Sequence, residues 1–217
     1  MSAINASDAN TSTWTIDPVH TVVEFKVKHM MISNVKGQFS NVTGALTLDE
    51  AALENSHVEG SIDAASLETR DAQRDAHLKS ADFFDVEKFP ALSFKSTKIS
   101  LIRAGELAIE GELTIRDITR KVLFDVEGPT PPARDPWGNT RVAVSATTKI
   151  SRKDFGLTWN AALESGGILV GDEVTITLDV QFVRASGQQI VVARIGREGF
   201  VWRFVSHPRV LTSSLRW

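Results

Sequence analysis

The feature that most constrains this chain is a strict alternation of apolar and polar residues between positions 174 and 182. Every second position there is apolar: Val174, Ile176, Leu178, Val180 and Phe182. The positions between them are all polar: Thr175, Thr177, Asp179 and Gln181. Successive side chains of a β-strand point to opposite faces, so this period of two predicts a strand with one apolar and one polar face.

The same period recurs along most of the chain. It is clearest over residues 23–27, 107–115, 122–126 and 142–150, and further strands are predicted over 35–48, 58–64 and 91–99. About eight to nine strands therefore follow one another with short, turn-rich gaps. An all-β chain of this kind must hide its sheet edges in a two-sheet sandwich or a closed barrel. Long consecutive strands favour an antiparallel up-and-down β-barrel of about eight strands, which holds side chains or one small ligand.

The inward face of that barrel is predicted to be apolar, as the wall of a pore. The predicted lining residues are Phe25, Val27, Phe39, Ile62, Phe94, Ile109, Leu113, Phe124, Val144, Phe155, Trp159, Ile176 and Leu178. Phe155 and Trp159 follow a strand and fit core anchors as well as pocket lining. A slip of one residue in register would move any of the strand residues to the outer face.

One segment departs from the period of two. Asp71–Phe84 is predicted to form a short helix, because Arg74, His77 and Leu78 share one face at the i, i+3, i+4 spacing. Its polar residues fit a solvated face with local ion pairs, or a lid with a cationic edge over a barrel mouth. The proline-rich stretch 129–140 predicts a long exposed loop.

Composition excludes several classes of protein. The chain has 24 basic and 27 acidic residues and a net charge of −3, which argues against a dedicated nucleic-acid binder. It contains no cysteine, so disulfides, thiol catalysis and cysteine-based metal sites are excluded. No run of apolar residues is long enough for a transmembrane helix, so we expect no integral membrane segment.

Three regions are expected from the changes in residue composition and patterning along the chain. Residues 1–12 are small and polar and are predicted to be a disordered N-terminus. Residues 13–185 are predicted to form the barrel, and residues 186–217 a basic C-terminal tail. The N-terminus has neither a basic start nor an apolar segment, so a cytoplasmic location is expected, or a periplasmic one if a leader had been removed.

No established catalytic or metal-binding pattern is present. Nucleophile elbows, HExxH, Walker loops and dinucleotide fingerprints are missing, and the five histidines have no metal-ligand spacing. His29 continues the apolar face of residues 23–27, so it is either a strand-end histidine with a backbone partner or a polar group at a cavity mouth.

Four segments, in this order, resemble the YceI-like family of lipid- and polyisoprenoid-binding proteins. They are TWTIDPVHTVVEFKVKHMMISNVKGQF (13–39), RDAQRDAHLKSADFFDVEKFPALSFKS (70–96), GELTIRDITRKV (111–122) and RKDFGLTWNAALESGGILVGDEVTITLDV (152–180). The resemblance implies a lipocalin-like barrel of the leaderless, cytoplasmic type. It also implies that the pore holds a polyisoprenoid, an isoprenoid quinone or a similar amphiphilic lipid, for carriage, storage or sequestration. The tail after Ser186 lies outside it.

The resemblance implies no cofactor other than the bound lipid, and no nucleic-acid partner. It is compatible with a homodimer. A polar head group would need a donor at the pore mouth, and His29, Arg74 and His77 are the candidates by residue type.

Two alternatives to a lipid binder remain open. The first is a hydrolase or isomerase that acts on such a lipid through His29 or His77, which would need a second group to orient the histidine. The second is a ligand-free barrel, filled by its own side chains, that acts through its surface, for example in a stress response.

Overall fold

A computed structural model of the protein describes residues 11–164 and 167–185. These residues form twelve β-strands and one α-helix: β1 Thr11–Ile16, β2 Val22–His29, β3 Ser33–Phe39, β4 Val42–Asp49, β5 His57–Asp63, β6 Leu67–Glu68, α1 Ala72–Lys79, β7 Ala91–Arg103, β8 Glu106–Ile115, β9 Ile118–Glu127, β10 Ala133–Arg134, β11 Thr140–Ser151 and β12 Val170–Arg184. Within the described ranges, no helix is long and apolar enough to span a membrane.

The strands close into an eight-stranded antiparallel barrel. β1 and β2 lie in succession along one edge of β12, and β11 pairs with the other edge. The ring then runs from β11 through β9, β8, β7, β5 and β4 to β1, while β3 and β6 extend it beside β2. The predicted all-β up-and-down barrel with one short helix is confirmed. The stretch predicted as one strand over 35–48 is divided between β3 and β4.

The two ends of the barrel differ. One end, called here the helix end, carries α1, the segment 80–90, the β2–β3 turn and residues 152–169. The other, called the loop end, carries residues 50–56, the β7–β8 turn and residues 128–139. The predicted exposed loop over 129–140 lies at the loop end and includes the short strand β10, which pairs with β11.

The helix is shorter than predicted. Asp71 caps its N-terminus by accepting the amide N–H of Arg74 at 2.9 Å, as an N-cap carboxylate does. The helix ends at Lys79 because Ser80 turns away, with its amide and its hydroxyl both donating to the carbonyl of His77. The predicted extension to Phe84 was therefore wrong. Residues 81–84 form turns, which place Phe83 in the interior.

The predicted N-terminal boundary also moves. Thr11 and Ser12 belong to β1, although residues 1–12 were predicted to be disordered. Ser12 is buried, and its hydroxyl accepts the indole N–H of Trp14 at 2.7 Å, which ties it to the core. The rest of the predicted N-terminal region and the predicted tail 186–217 lie outside the described residues.

The loop end is densely packed. Trp14 has no exposed surface, and Val142, Phe182 and Leu48 around it are at most 4% exposed. These side chains form a packed hydrophobic cluster at this end of the barrel, with the close packing typical of protein interiors.

A half-buried ionic network connects three parts of the chain at the same end. Arg141 of β11 donates to Asp17, in the break between β1 and β2, and its Nε donates to Asp135 of the loop at 2.7 Å. Hydrogen bonds from Arg141 and then from His20 lower the pKa of Asp17 to about 2. Burial raises the pKa of Asp135, but donors from Arg141 and Asn139 outweigh it and hold that pKa below its usual range.

We predict that Arg141→Leu lowers the free energy of unfolding at pH 7 by more than the loss of an exposed ion pair does, because it leaves two carboxylates without their charged donor. A lowered folded-state pKa stabilises the protein above the unfolded pKa, and that stabilisation disappears as the pH falls toward 2. The cost of the substitution should therefore shrink in acid. Urea unfolding at pH 7 and at about pH 3 measures both quantities. Lys149→Leu, which breaks an exposed ion pair with Glu173, is the control and should cost less than about 1 kcal/mol.

Candidate functional site

An internal cavity of about 230 Å³ lies along the axis of the barrel. Its wall is formed by inward side chains of β2–β5, β7–β9, β11 and β12, and by Leu78, Phe83 and Phe84 from the helix end. A single buried water needs about 10–15 Å³ by the same kind of measure, so the cavity far exceeds a packing defect. The interior of this barrel is not filled by its own side chains.

Eleven of the predicted lining residues lie on the wall of this cavity. They are Phe25, Val27, Phe39, Ile62, Phe94, Ile109, Leu113, Phe124, Val144, Ile176 and Leu178. The register explains this placement. Phe25 lies opposite Ile176, and Val27 opposite Val174, so the apolar faces of β2 and β12 turn inward together. The alternation along each strand and the closure of the ring then fix which side chains meet.

The other two predicted lining residues, Phe155 and Trp159, are not on the wall. Phe155 follows β11 in a 3₁₀ turn and is 1% exposed within the main hydrophobic cluster, where it acts as a core anchor. Trp159 packs edge-on against His77, with ring centroids 4.6 Å apart, and also contacts Phe83. The period of two ends at Ser151, so alternation could not place either residue.

A second cavity of about 60 Å³ adjoins the first toward the loop end. The two share part of their walls: Val58, Ile109, Val126, Val144 and Phe182. The remaining wall of the smaller cavity comes from residues such as Leu46, Leu53 and Ile99. The empty space is therefore elongated along the barrel, a shape suited to a chain rather than to a compact ring system.

The surface that faces the larger cavity is apolar. Glu24, Glu59, Ser61, Ser93 and Arg152 are among its lining residues, yet no polar surface is exposed to the space. A ligand inside has no hydrogen-bond partner on the wall, so burial of apolar surface is the interaction available to it.

Arg74, predicted as a head-group candidate, is not on the cavity wall. Its Nε donates to the hydroxyl of Thr69 at 2.7 Å, and its Nη2 donates to the carbonyl of the same residue. Asp75 accepts the amide N–H of Thr69 at 2.8 Å. The two helix residues thus clamp the chain between β6 and α1, a tertiary role that the sequence pattern does not show.

The two histidine candidates also lie off the wall. His77 contacts Asp82, with 2.9 Å between Nε2 and Oδ2, and packs against Phe83 and Trp159 at the helix end. His29 is half-buried at the last position of β2, opposite Val170. Both residues therefore lie at the helix end of the barrel, off the cavity wall.

Arg152 is a wall residue that the sequence prediction missed. It is 3% exposed, and its guanidinium donates to the carbonyls of Leu157, Trp159, Val170 and Gly171. Burial lowers its pKa, which the charge of Asp172 partly offsets. Arg152 continues the inward series that runs from Val142 to Ile150 in steps of two, so the alternation itself contained the signal. Its donors are committed to these carbonyls and to Asp172, so they hold residues 157–159 and 170–172 together at the helix end.

Within the described part of the chain, no cluster of three or more histidine and carboxylate side chains is placed to hold a metal ion.

Two glycines shape the cavity. An added Cβ at Gly37 would lie 2.3 Å from the Phe25 ring, and one at Gly111 would lie 2.3 Å from the Phe94 ring. Each aromatic ring therefore lies flat over a glycine of the neighbouring strand instead of projecting into the interior. A strand glycine that admits a close approach in this way leaves space in the barrel.

Comparisons with known proteins agree with this architecture. The sequence model of the YceI-like domain matches residues 14–182. A UPF0312 protein of Vibrio cholerae is 35% identical over 151 residues, which cover 69% of this chain and 79% of that protein. The crystal structure of the Campylobacter jejuni YceI protein superposes with a TM-score of 0.62 at 29% identity, covering 74% of this chain and 91% of that one.

A more distant structure shares the fold. It is that of a polyisoprenoid binding domain from Saccharophagus degradans implicated in plant cell wall breakdown, with a TM-score of 0.57 and 11% identity. The match covers 79% of this chain and 98% of that one. The family match spans most of the barrel, from β1 to β12, and includes the strands that form the cavity. This chain belongs to the YceI-like family.

Proposed function

We propose that the protein binds one amphiphilic lipid, with its apolar chain in the barrel cavity. The observation that carries the proposal is an elongated cavity whose exposed wall is entirely apolar. Burial contributes roughly 25 cal/mol per Å² of apolar surface removed from water, before the cost of ordering the chain. A ligand with hydrogen-bonding groups along its length would lose its water contacts and gain none, so a hydrocarbon chain is favoured.

The polar end of the ligand lies at the helix end in this proposal. The cluster around Trp14 lies at the loop end, whereas the helix end is covered by α1 and by the side chains of Leu78 and Phe84, which are half-buried. His77 and His29 lie at that end, above the apolar wall. A head group at the helix end would keep its contacts with water. It would occupy the region in which the side chains of His77 and His29 lie.

A polyisoprenoid or isoprenoid quinone is the ligand class we favour. The Saccharophagus degradans domain with this fold is described as polyisoprenoid binding. Isoprene units are wholly apolar, and a wall built from Val, Ile, Leu and Phe offers them apolar surface along their length. Carriage or storage of such a lipid needs no cofactor besides the lipid.

Binding is better supported than catalysis. An enzyme needs a titratable group within hydrogen-bond reach of the reacting atoms and a second group that orients it. His29 and His77 both lie off the cavity wall, and the wall itself exposes no polar atom. The size of the cavity likewise favours a ligand over a barrel filled by its own side chains.

We predict that Ile176→Lys abolishes uptake of geranylgeraniol, because a charge without a partner in an apolar cavity is costly. Uptake is measured by native mass spectrometry and by displacement of a fluorescent polyene fatty acid. The matched control is Thr177→Lys on the outer face of the same strand, which should bind as the wild type does. Ile176→Thr is a milder change that should lower the affinity for geranylgeraniol about 10-fold or more. This variant provides the test if the lysine variant fails to fold. Unchanged affinity in folded Ile176 variants would contradict the proposal.

A glycine substitution tests the shape of the cavity. Gly37→Ala should force the Phe25 ring into the cavity, destabilise the protein by about 1–3 kcal/mol and weaken binding of the same probe. The control is Thr47→Ala, at an exposed position of β4 that is not on the wall of either cavity. Thermal melting and probe titration should separate the two variants. Equal probe affinities would show that Phe25 does not shape the ligand site.

A further inference from the structure

The turn between β2 and β3 presents large apolar side chains to solvent. Met30, Met31 and Ile32 are 38%, 62% and 80% exposed. Met30 and Met31 have φ angles of 51° and 59°, and the amide of Ile32 donates to the carbonyl of His29 at 3.0 Å. A turn whose two central residues have positive φ favours Asn and Gly at those positions, because the backbone of other residues is strained in that conformation. The backbone of the two methionines is therefore strained, and their apolar side chains are exposed to water. Neither feature stabilises the fold.

A second segment widens this apolar surface. The amide of Met30 donates to the carbonyl of Leu169 at 2.7 Å, which fixes the turn against residues 167–170. Ile168, next to that contact, is 38% exposed. We call Met30, Met31, Ile32 and Ile168 the tip patch. Contiguous exposed apolar residues, unlike single ones, mark an interaction surface.

Lysines line the outer face of the same hairpin. Lys26 and Lys36 are direct cross-strand partners, and Lys28 lies two residue pairs nearer the tip, opposite Asn34. All three are exposed, and within the described residues none of them makes an ion pair. Like charges directly opposite each other destabilise a sheet. The acid on this face of the hairpin, Glu24, lies opposite Gln38, farther from the tip.

We propose that the tip patch and these three lysines dock the helix end of the barrel on an anionic phospholipid bilayer. Apolar side chains at the extremity and cations just behind them match the order of a membrane surface, where acyl chains lie beneath charged phosphates. A protein partner would not require this layered arrangement of charge and apolar surface.

The docking surface is continuous with the mouth of the cavity. Val27, three residues before Met30, lines the cavity, and so does Val170, which pairs with His29. Docking would therefore bring the helix end, where we place the ligand's head group, to the surface from which a lipid is taken or to which it is returned. The docking itself goes beyond the proposed function, because it does not depend on what the cavity holds.

Co-sedimentation with phosphatidylcholine vesicles, with and without phosphatidylglycerol, tests the proposal. The wild type should bind the anionic vesicles and lose that binding in high salt. The double variant Met31→Ser, Ile32→Ser should bind about 10-fold more weakly or worse. The control is Leu101→Ser, Ile102→Ser, a pair of 55% and 63% exposed residues at the loop end, which should bind as the wild type does.

The charge contribution is tested separately. Replacing Lys26, Lys28 and Lys36 by Gln should remove the preference for anionic vesicles. The same change at Lys98, Lys121 and Lys149, exposed lysines elsewhere on the barrel, should leave that preference unchanged. Equal effects of the two triple variants would show that net charge, and not this hairpin, drives binding, and would overturn the proposal.

A site-specific label gives a direct readout. The chain has no cysteine, so Ile32→Cys and Ile102→Cys each create a unique position for an environment-sensitive fluorophore. Anionic vesicles should shift the emission of the label at 32 to the blue and leave the label at 102 unchanged. No shift at position 32, or a concentration-dependent dimer that the tip substitutions abolish in place of vesicle binding, would overturn the proposal.

Geranylgeraniol uptake is measured in parallel on the same proteins. A wild type that takes up the ligand but does not bind anionic vesicles refutes docking alone, whereas a wild type that binds vesicles but takes up no such ligand refutes the proposed function alone.

Discussion

The pairing of β12 on both of its edges is the constraint on which the rest of the structure depends. β11 holds one edge over eleven consecutive residue pairs, and β1 and β2 hold the other. This closure turns the apolar half of every alternating strand toward one shared interior and leaves the ring without a free edge. The cavity follows from that geometry, because eight strands enclose more space than these side chains fill, and glycines such as Gly37 let aromatic rings lie back against the wall.

The two ends of the barrel differ in how their side chains are used. At the loop end, Trp14 is fully buried, and Arg141 joins three parts of the chain through charged hydrogen bonds. At the helix end, polar side chains hold the covering segments in place: Arg74 binds Thr69, and Arg152 binds the carbonyls of the segment after β11. This difference supports our proposal that the polar end of the ligand lies at the helix end. The exposed turn at Met31 lies at the same end, and the proposed contact with a bilayer would complete that arrangement.

Sequence alone predicted the barrel and most of its inner wall, because alternation and closure leave little freedom. Phe25 and Ile176 were placed correctly for this reason, and the β12 register makes them neighbours. Prediction failed where the period of two stopped. Phe83 and Phe84 reach the cavity from turns that have no periodicity, and Phe155 turns into the core through a 3₁₀ turn. The role of Arg74 depends on Thr69, a contact set by how the helix packs and not by its spacing. Arg152 falls at an inward position of the alternation that runs along β11, but a charged residue is not expected on an apolar inner face.

Native mass spectrometry of the purified protein shows directly whether the cavity holds the chain of a lipid. We expect a non-covalent adduct at one ligand per chain. Solvent extraction of the same sample should release an isoprenoid or a related apolar-chain lipid, and Ile176→Lys should lack the adduct. A wild-type protein that carries no adduct, and that remains free of ligand after incubation with isoprenoid alcohols and quinones of graded length, would contradict the proposed function.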